Sequence, residues 1–284
     1  MHGPPVGVRA EAGRCGRDPS MTIQRTQAVV IGRRPLGESD RLVDFYTKDF
    51  GKIRGVAKSA RRPRSRFGSA LELLTLGDLV FFETPRSELV SIDHFDIVEA
   101  FVGVREDLER LGRGAWAAEC VARLSAERDP HPALFRLLVR DLRVLQRAHR
   151  PDWVSTCFAF RAIDLLGHRP QIDRCASCGT AEPASSAWLD IAAGGLICNR
   201  CAVGPDAVAL SGASLGAMKR VRELRWDDAV RLQLAGDLER DLATVAEHLI
   251  AGLAGQHPRS TRFLDQVRRS LRRVAEHPAP WPDA

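Results

Sequence analysis

Cys175-Ala-Ser-Cys178 and Cys198-Asn-Arg-Cys201 are two matched C-x-x-C turns with nineteen residues between the inner cysteines. This is the spacing of a four-thiolate zinc site. Each turn presents two sulfurs to one side, and a tetrahedral ion needs two such turns facing each other. The intervening chain must therefore fold back on itself, and Ala193-Gly194-Gly195 offers the turn. Gly179, directly after Cys178, permits the close backbone approach of a metal-binding knuckle. Four protein ligands close the coordination sphere and leave no place for a reacting water, so the expected role is structural, with one zinc per chain. A redox C-x-x-C occurs as a single motif at a helix start after a strand, which this pairing does not match. The metal segment (172–204) divides the chain into an upstream part and a downstream part.

Upstream, from Met21 to about Ala100, the pattern is short and strand-like. Candidate strands are Thr26–Ile31, Arg41–Thr47, Lys52–Lys58, Leu79–Glu83 and Leu89–Val98. Turn chemistry separates them at Pro35–Asp40, Asp49-Phe-Gly51, Gly77-Asp78 and Thr84–Ser87. Five short strands in about eighty residues suit a small Greek-key barrel of the OB type. After Gly103 the period becomes helical. Val104, Leu108, Leu111, Ala115, Ala118 and Ala122 are predicted to share one face. Leu134, Leu137, Leu138, Leu142 and Leu145 mark a second helix. Asp152 is predicted to cap a third, with Val154, Phe158, Ala162 and Leu165 inward and Gly167 at its end.

Downstream of the cysteines, Ser211 is predicted to cap a helix through Leu224. Leu238, Leu242, Val245 and Leu249 form another stripe, and Leu264, Val267, Leu271 and Val274 the last. The expected organisation is α+β and multidomain: an N-terminal OB-fold barrel (21–100), then an all-α helical domain (101–276) with the embedded four-cysteine site. A disordered extension (1–20) is expected before the barrel and a flexible tail (277–284) after the helices. Met1–Ser20 is rich in Gly, Pro and Arg and lacks the apolar stretch of a secretory signal. No apolar run approaches membrane-spanning length. The cysteines outside the two turns, Cys15, Cys120 and Cys157, fit a reducing cytoplasm, where a metal is favoured over disulfides.

The formal net charge is +6, yet Lys52, Arg54, Lys58, Arg61, Arg62, Arg64 and Arg66 place +7 within fifteen residues that hold no acid. The rest of the chain is close to neutral, so the basic character is local, as expected of a binding surface. A charge run is often only a solvated loop. Here it begins on a barrel strand, and Tyr46, Phe50 and Phe67 lie nearby as candidates for stacking on bases or for the core. Arg33, Arg34 and Arg41 border the first barrel loop and extend the track. If about five phosphates are neutralised, the salt slope on single strands is near −3.5, at about −0.7 per phosphate.

Enzyme motifs are poorly supported. There is no G-x-x-x-x-G-K-[ST] and no H-E-x-x-H. Gly212-Ala-Ser214-Leu-Gly216 matches the G-x-S-x-G elbow, and Asp237, Asp241, His248 and His257 come after it in triad order. The elbow needs a central strand and surrounding βα units, however, and the downstream pattern is helical. A helix start capped by Ser211 is the simpler reading, and the chain reads as a non-enzyme.

The first domain also resembles a known family. Gly37-Glu-Ser-Asp-Arg41, Phe45-Tyr-Thr47, Phe50-Gly-Lys-Ile-Arg-Gly-Val-Ala-Lys-Ser-Ala-Arg-Arg62 and Ser65-Arg-Phe-Gly68 are similar to the N-terminal pattern of the bacterial RecO recombination mediators. The likeness is tight over Ala28–Phe82 and looser to about Arg273. The resemblance implies an OB-fold that binds single- and double-stranded DNA and anneals complementary strands without ATP. It implies partnership with RecR and with the single-strand-binding protein SSB, to help load RecA on coated strands. It implies a nucleoid-associated, cytoplasmic protein, and, since some members lack the cysteines, a metal that serves as scaffold. Matched onto the family's DNA-binding face are Arg34, Arg41, Lys52, Arg54, Lys58, Arg61, Arg62, Arg64 and Arg66. SSB tails are acidic and end in aromatic and apolar residues, so their pocket should pair an apolar groove with cations. Candidates are Arg136, Arg140, Arg143 and Arg147 on one helix, or Lys219, Arg220, Arg222 and Arg225 on another. The competing reading is a generic zinc-containing adaptor for nucleic acid, acting on RNA or in transcription.

Overall fold

The computed structural model describes residues 22–83, 87–181 and 186–276. Five strands come first: β1 (Thr22–Leu36), β2 (Asp40–Thr47), β3 (Gly51–Ala57), β4 (Leu76–Glu83) and β5 (Val90–Glu99). They close into a barrel in the order β1-β2-β3-β5-β4. β1 is longer than its apolar centre predicts because it serves two neighbours. Its first half pairs with β4 (Thr22 opposite Glu83, Val29 opposite Leu76) and its second half with β2 (Ala28 opposite Thr47, Leu36 opposite Asp40). A bulge between Val30 and Gly32 bends it from one to the other. Closure is made by a short parallel pairing of β3 with β5 at Gly55–Val90 and Val56–Ser91. Gly55 permits it, since a Cβ there would stand 2.7 Å from Ile92 Cγ1 and 2.8 Å from Val90 Cγ2.

The period of two explains how the barrel is both closed and docked. Ala28, Val30, Val43, Phe45, Ile53, Leu79, Phe81, Ile92 and Phe95 fill its interior. The alternate residues Val29, Ile31, Tyr46 and Leu76 join the core of the helices instead. Those helices are α1 (Val102–Arg105), α2 (Leu108–Leu124), α3 (Pro132–Leu145), α4 (Pro151–Leu165), α5 (Gly212–Glu223), α6 (Trp226–Ala229), α7 (Gly236–Ala254) and α8 (Arg259–Glu276). Between α4 and α5 lies a three-stranded sheet of β6 (Ser186–Asp190), β7 (Gly195–Ile197) and β8 (Val208–Ser211), in the order β7-β6-β8.

Two helix expectations are corrected. On α2 the predicted stripe is wrong: Leu108 is exposed and Leu111, Ala115 and Ala122 are only half-buried. The buried set is Gly112, Arg113, Gly114, Trp116, Ala117, Ala118, Cys120 and Val121. α2 touches α1, α3, α4, α7, α8 and β1, so it is enclosed on most sides and has no single apolar face. Its glycines are points of close approach, with Gly112 against Leu264 and Gly114 against Leu74. On α4 the N-cap is Arg150, with Pro151 in the first turn. Asp152 lies inside the helix and pairs with the buried Arg113 at 2.6 Å. α4 is buried almost all round, and Leu165, expected inside, is at its exposed end. The α3 stripe is buried as predicted. Ser211 caps α5 by accepting the Ser214 N–H. Met1–Ser20, the 277–284 tail and most of the Thr84–Ser87 turn lie outside the described residues.

Candidate nucleic-acid interface and metal centre

The candidate metal centre is built by two knuckles at one edge of the small sheet. In the first, the Gly179 N–H donates to the Cys175 carbonyl at 2.9 Å, and Gly179 takes a φ of 72° that favours glycine. In the second, the Cys201 N–H donates to the Cys198 carbonyl at 3.0 Å. The β6–β7 hairpin, turning at Gly194 with φ 79°, brings the knuckles together. The four sulfurs lie within 4.8 Å of one another. Three of the edges are 3.9 Å for Cys175–Cys201, 3.8 Å for Cys178–Cys198 and 3.7 Å for Cys198–Cys201. A tetrahedron with metal–sulfur bonds of about 2.3 Å has edges of about 3.75 Å, so the donor set fits a metal ion without rearrangement. N–H groups of Cys178 and Cys198 aimed at the Cys175 sulfur favour its thiolate and lower its pKa to about 6. The sheet is anchored beneath by Ala187, Leu189, Leu196 and Leu210, which belong to the helical core. Cys120 and Cys157 are buried elsewhere, and burial raises both thiols well above the usual range.

The basic residues occupy the end of the barrel where the β1–β2 hairpin meets the segment after β3. Arg61 N–H donates to the Ser39 carbonyl, Arg61 Nη1 to the Gly37 carbonyl, and Ser59 N–H to Asp40 Oδ1. These bonds pin Lys58–Arg66 against the hairpin, so Arg34, Arg41, Lys58, Arg61 and Arg62 surround one rim. Arg34, Lys58, Arg61, Arg62, Arg64 and Arg66 are exposed. Among the described residues Arg34, Lys58, Arg62 and Arg64 form no ion pair. Lys58 and Arg62 help hold Asp40 below the usual carboxylate range, after the larger effects of the Ser59 N–H and Ser39 hydroxyl. Arg66 lies over the Phe67 ring, 5.0 Å from its centroid.

Two cations of the run are diverted. Lys52 is 17% exposed, and its ammonium donates to the carbonyls of Ala122 (2.6 Å) and Ser125 (3.0 Å), closing the C-terminus of α2. Arg54 is paired with Asp44. Strand alternation explains both: Lys52 and Arg54 lie along the outer face of β3, which meets the helices and β2. Of the aromatic candidates, Tyr46 and Phe67 are core residues, and Phe50 is half-buried against the barrel core. Tyr46 is 0% and Phe67 4% exposed, and Phe50 packs edge-on against Phe81 at 5.4 Å. Tyr46 and Phe67 offer no face for a base to stack on.

On the helical side, a cavity of about 600 Å³ opens where the barrel meets α3. Leu76, Val98, Phe135, Leu165 and Trp226 give an apolar floor, and Arg136, Arg140, Arg143 and Arg161 line it. Both clusters are partly paired: Arg140 with Asp227 and Arg143 with Glu99 on α3, and on α5 Arg222, buried against Asp164, and Lys219, 3.3 Å from Asp173; the cavity with an apolar floor lies on the α3 side. The sequence reading missed Arg161 and Trp226, which come from helices far apart in the chain and carry no local signal. Ser214 is fully buried, and its Oγ donates to Asp241 Oδ2 at 2.7 Å. It is thus a helix-start residue tied to a carboxylate, without the exposed hydroxyl of an elbow. Among the described residues no helix is long and apolar enough to cross a membrane.

A closed OB-type barrel with a cationic rim, joined to a helical domain that carries four cysteines placed to hold a metal ion, defines a class of two-domain proteins. The family model "Recombination protein O N terminal" matches residues 21–101, and "Recombination protein O C terminal" matches 105–262. The chain is 38% identical over 199 residues to the DNA repair protein RecO of Geobacter metallireducens, covering 68% of this chain and 80% of that protein. It is 34% identical over 256 residues to that of a Roseiflexus species (88% of each), and 32% identical over 255 residues to that of Syntrophobacter fumaroxidans (87% and 99%). The chain belongs to the RecO family.

Proposed function

We propose that this protein is a non-enzymatic mediator of recombinational DNA repair. Its barrel rim binds single- and double-stranded DNA through Arg34, Arg41, Lys58, Arg61, Arg62, Arg64 and Arg66, and complementary strands anneal on it without ATP. The observation that carries the reading is the exposed, largely unpaired set of cations pinned around the β1–β2 hairpin. Two strands repel through their phosphates, and a cationic surface that shields both lowers that barrier. Duplex formation is itself downhill, so no hydrolysis is required. The withdrawal of Tyr46 and Phe67 into the protein favours phosphate contacts over base stacking, which suits a surface indifferent to sequence.

The apolar cavity rimmed by Arg136, Arg140, Arg143 and Arg161 supports docking of an acidic protein tail that ends in aromatic and apolar residues, the chemistry of SSB. With RecR, the protein would help load RecA on SSB-coated strands in the cytoplasm, at the nucleoid. The tetrathiolate centre supports one structural zinc per chain, held by Cys175, Cys178, Cys198 and Cys201, as scaffold for the 172–204 segment.

The test is annealing of complementary DNA strands pre-coated with the cognate SSB, without ATP. Acceleration is expected. No acceleration by metal-replete protein that still binds naked DNA would overturn the mediator reading and leave an adaptor for nucleic acid, to be tried on RNA.

A further inference from the structure

One carboxylate sits among three guanidinium groups beside the basic loop. Glu72 accepts both arms of Arg33, from Nη1 to Oε1 at 2.6 Å and from Nη2 to Oε2 at 2.6 Å. Arg41 Nη1 lies 3.7 Å from Oε1 of the same carboxylate. Arg105 donates to the Leu73 carbonyl and Thr75 Oγ1, and the Glu72 charge acts on it. Burial disfavours the Arg105 cation and the neighbouring Arg33 adds to this, while Glu72 alone opposes them. The cluster is therefore short of negative charge. Glu72 is 33% exposed and Arg33 35%, so the pair is open to exchange with a ligand from solvent.

The geometry identifies that ligand's chemistry. A guanidinium holding a carboxylate by two parallel N–H···O bonds presents the same fork that it presents to phosphate. Strand register puts this fork in line with the basic rim: Arg33 stands opposite Val43, and Arg41 stands opposite both Pro35 and Ala57, the residue before Lys58. From Arg33 a groove of about 450 Å³ runs past Leu73 and Ala122 to Ser260 at the start of α8, where its one carboxylate, Glu119, is engaged by Arg123 and by the N–H groups of Arg259 and Ser260.

We propose that Arg33, beside Arg41 of the rim, forms a further phosphodiester site, occupied by Glu72 in the free protein, that carries the DNA path from the Lys58–Arg66 loop across the barrel rim toward the helical domain. This rests on the DNA-binding reading above. A backbone phosphate displaces the Glu72 carboxylate, which moves into solvent. Because one ion pair is exchanged for another, the site adds little net affinity and releases its strand readily. That property suits annealing, in which the duplex product must leave.

The experiment is equilibrium binding of a labelled single-stranded oligonucleotide to the full chain over a series of salt concentrations. Glu72→Gln keeps the hydrogen-bonding shape and removes the competing charge. It is expected to tighten binding at low salt by about three- to tenfold and to steepen the salt slope by about 0.7 for each phosphate newly neutralised. Adding Arg33→Ala to Glu72→Gln should erase the gain. Glu38→Gln makes the same charge change on the adjacent hairpin, where among the described residues Glu38 forms no ion pair, and should leave the slope unchanged. Binding by the unmodified chain with Glu72→Gln indistinguishable from it overturns the gated site alone, as does an equal gain from Glu38→Gln. Absence of binding by both the unmodified chain and Glu72→Gln overturns the DNA-binding reading, and the site with it.

Discussion

The thiolate segment and the basic loop are both short stretches with little core of their own, but they are held differently. Around the sulfurs the buried cluster is only Cys175, Ile197 and Cys198, with Trp188 and Cys201 against it. At the knuckles the groups that give the segment its chemistry are also its packing, while the sheet beneath is held by Ala187, Leu189 and Leu196 in the helical core. The basic loop is instead fastened mainly by residues that carry no charge: Ala60, Phe67, Ala70 and Leu71 sink into the barrel core, Arg61 and Arg66 reach the Gly37 and Ile92 carbonyls, and Arg34, Lys58, Arg62 and Arg64 are left facing water. In the first region chemistry and fold are one property. In the second they are separable, so the charges are free to serve binding.

The sharpest break of this comparison is loss of the metal. Chelation, or Cys198→Ser, is expected to lower metal content from about one per chain toward none and to release the 172–204 segment to proteolysis. Hydrogen exchange should show β1–β5 still protected, because the barrel core shares no residue with the thiolate cluster. Barrel protection falling in step with the segment would show the two regions to be one cooperative unit. The converse is Phe81→Ala. Phe81 is fully buried in the barrel and meets Phe50 edge-on, and its loss is expected to cost about 3–5 kcal/mol, read by denaturant unfolding. Metal content should be unchanged, since the ribbon is anchored through Ala187, Leu189 and Leu196 to the helices.

These regions also differ in how far the chain alone reveals them. The knuckles are readable to the residue because their geometry is local: two three-residue spacings, Gly179 and Gly194 specify where four sulfurs must meet. Barrel strands are readable from alternation, although β1 runs further than its apolar centre because pairing with β4 and β2 together sets its length. Helix α2 is misread because enclosure on several sides erases the single stripe that periodicity detects, and Gly112 and Gly114 take the place of large apolar residues. The basic run is readable as charge but not as orientation. Nothing in Lys52-Ile-Arg-Gly-Val-Ala-Lys58 shows that Lys52 meets the end of a helix seventy residues later while Lys58 meets water. Glu72 has no sequence signal either, since its partner Arg33 lies 39 positions away.

Lys52 offers a finer division within the basic run. Its ammonium joins the barrel to α2 through two carbonyls, and Arg128 N–H returns a bond to the Lys52 carbonyl at 3.0 Å. Lys52→Ala is expected to lower stability by about 1.5–3 kcal/mol, the range for hydrogen bonds to a charged group. The salt slope of DNA binding should stay where it is, because this cation is already satisfied within the protein. A flatter slope with unchanged stability would return Lys52 to the phosphate track.

The smallest effect on the fold, and the clearest on binding, is expected from replacing Arg61, Arg62 and Arg64 together by Ala. All three are exposed, and among the described residues only Arg61 of the three makes a side-chain hydrogen bond, to the Gly37 carbonyl on the neighbouring hairpin. Surface changes of this kind leave the unfolding midpoint nearly where it was. Each phosphate left without its cation should flatten the single-strand salt slope by about 0.7, or about 2 for all three, with binding weakened alike across sequences. Unequal weakening between sequences would mean that the loop reads bases as well as charge. An unchanged slope would separate the cations from DNA altogether and place the nucleic-acid surface on another face. Neither is expected, because a loop fastened mainly by its apolar residues leaves Arg62 and Arg64 no structural task and Arg61 only its bond to the Gly37 carbonyl.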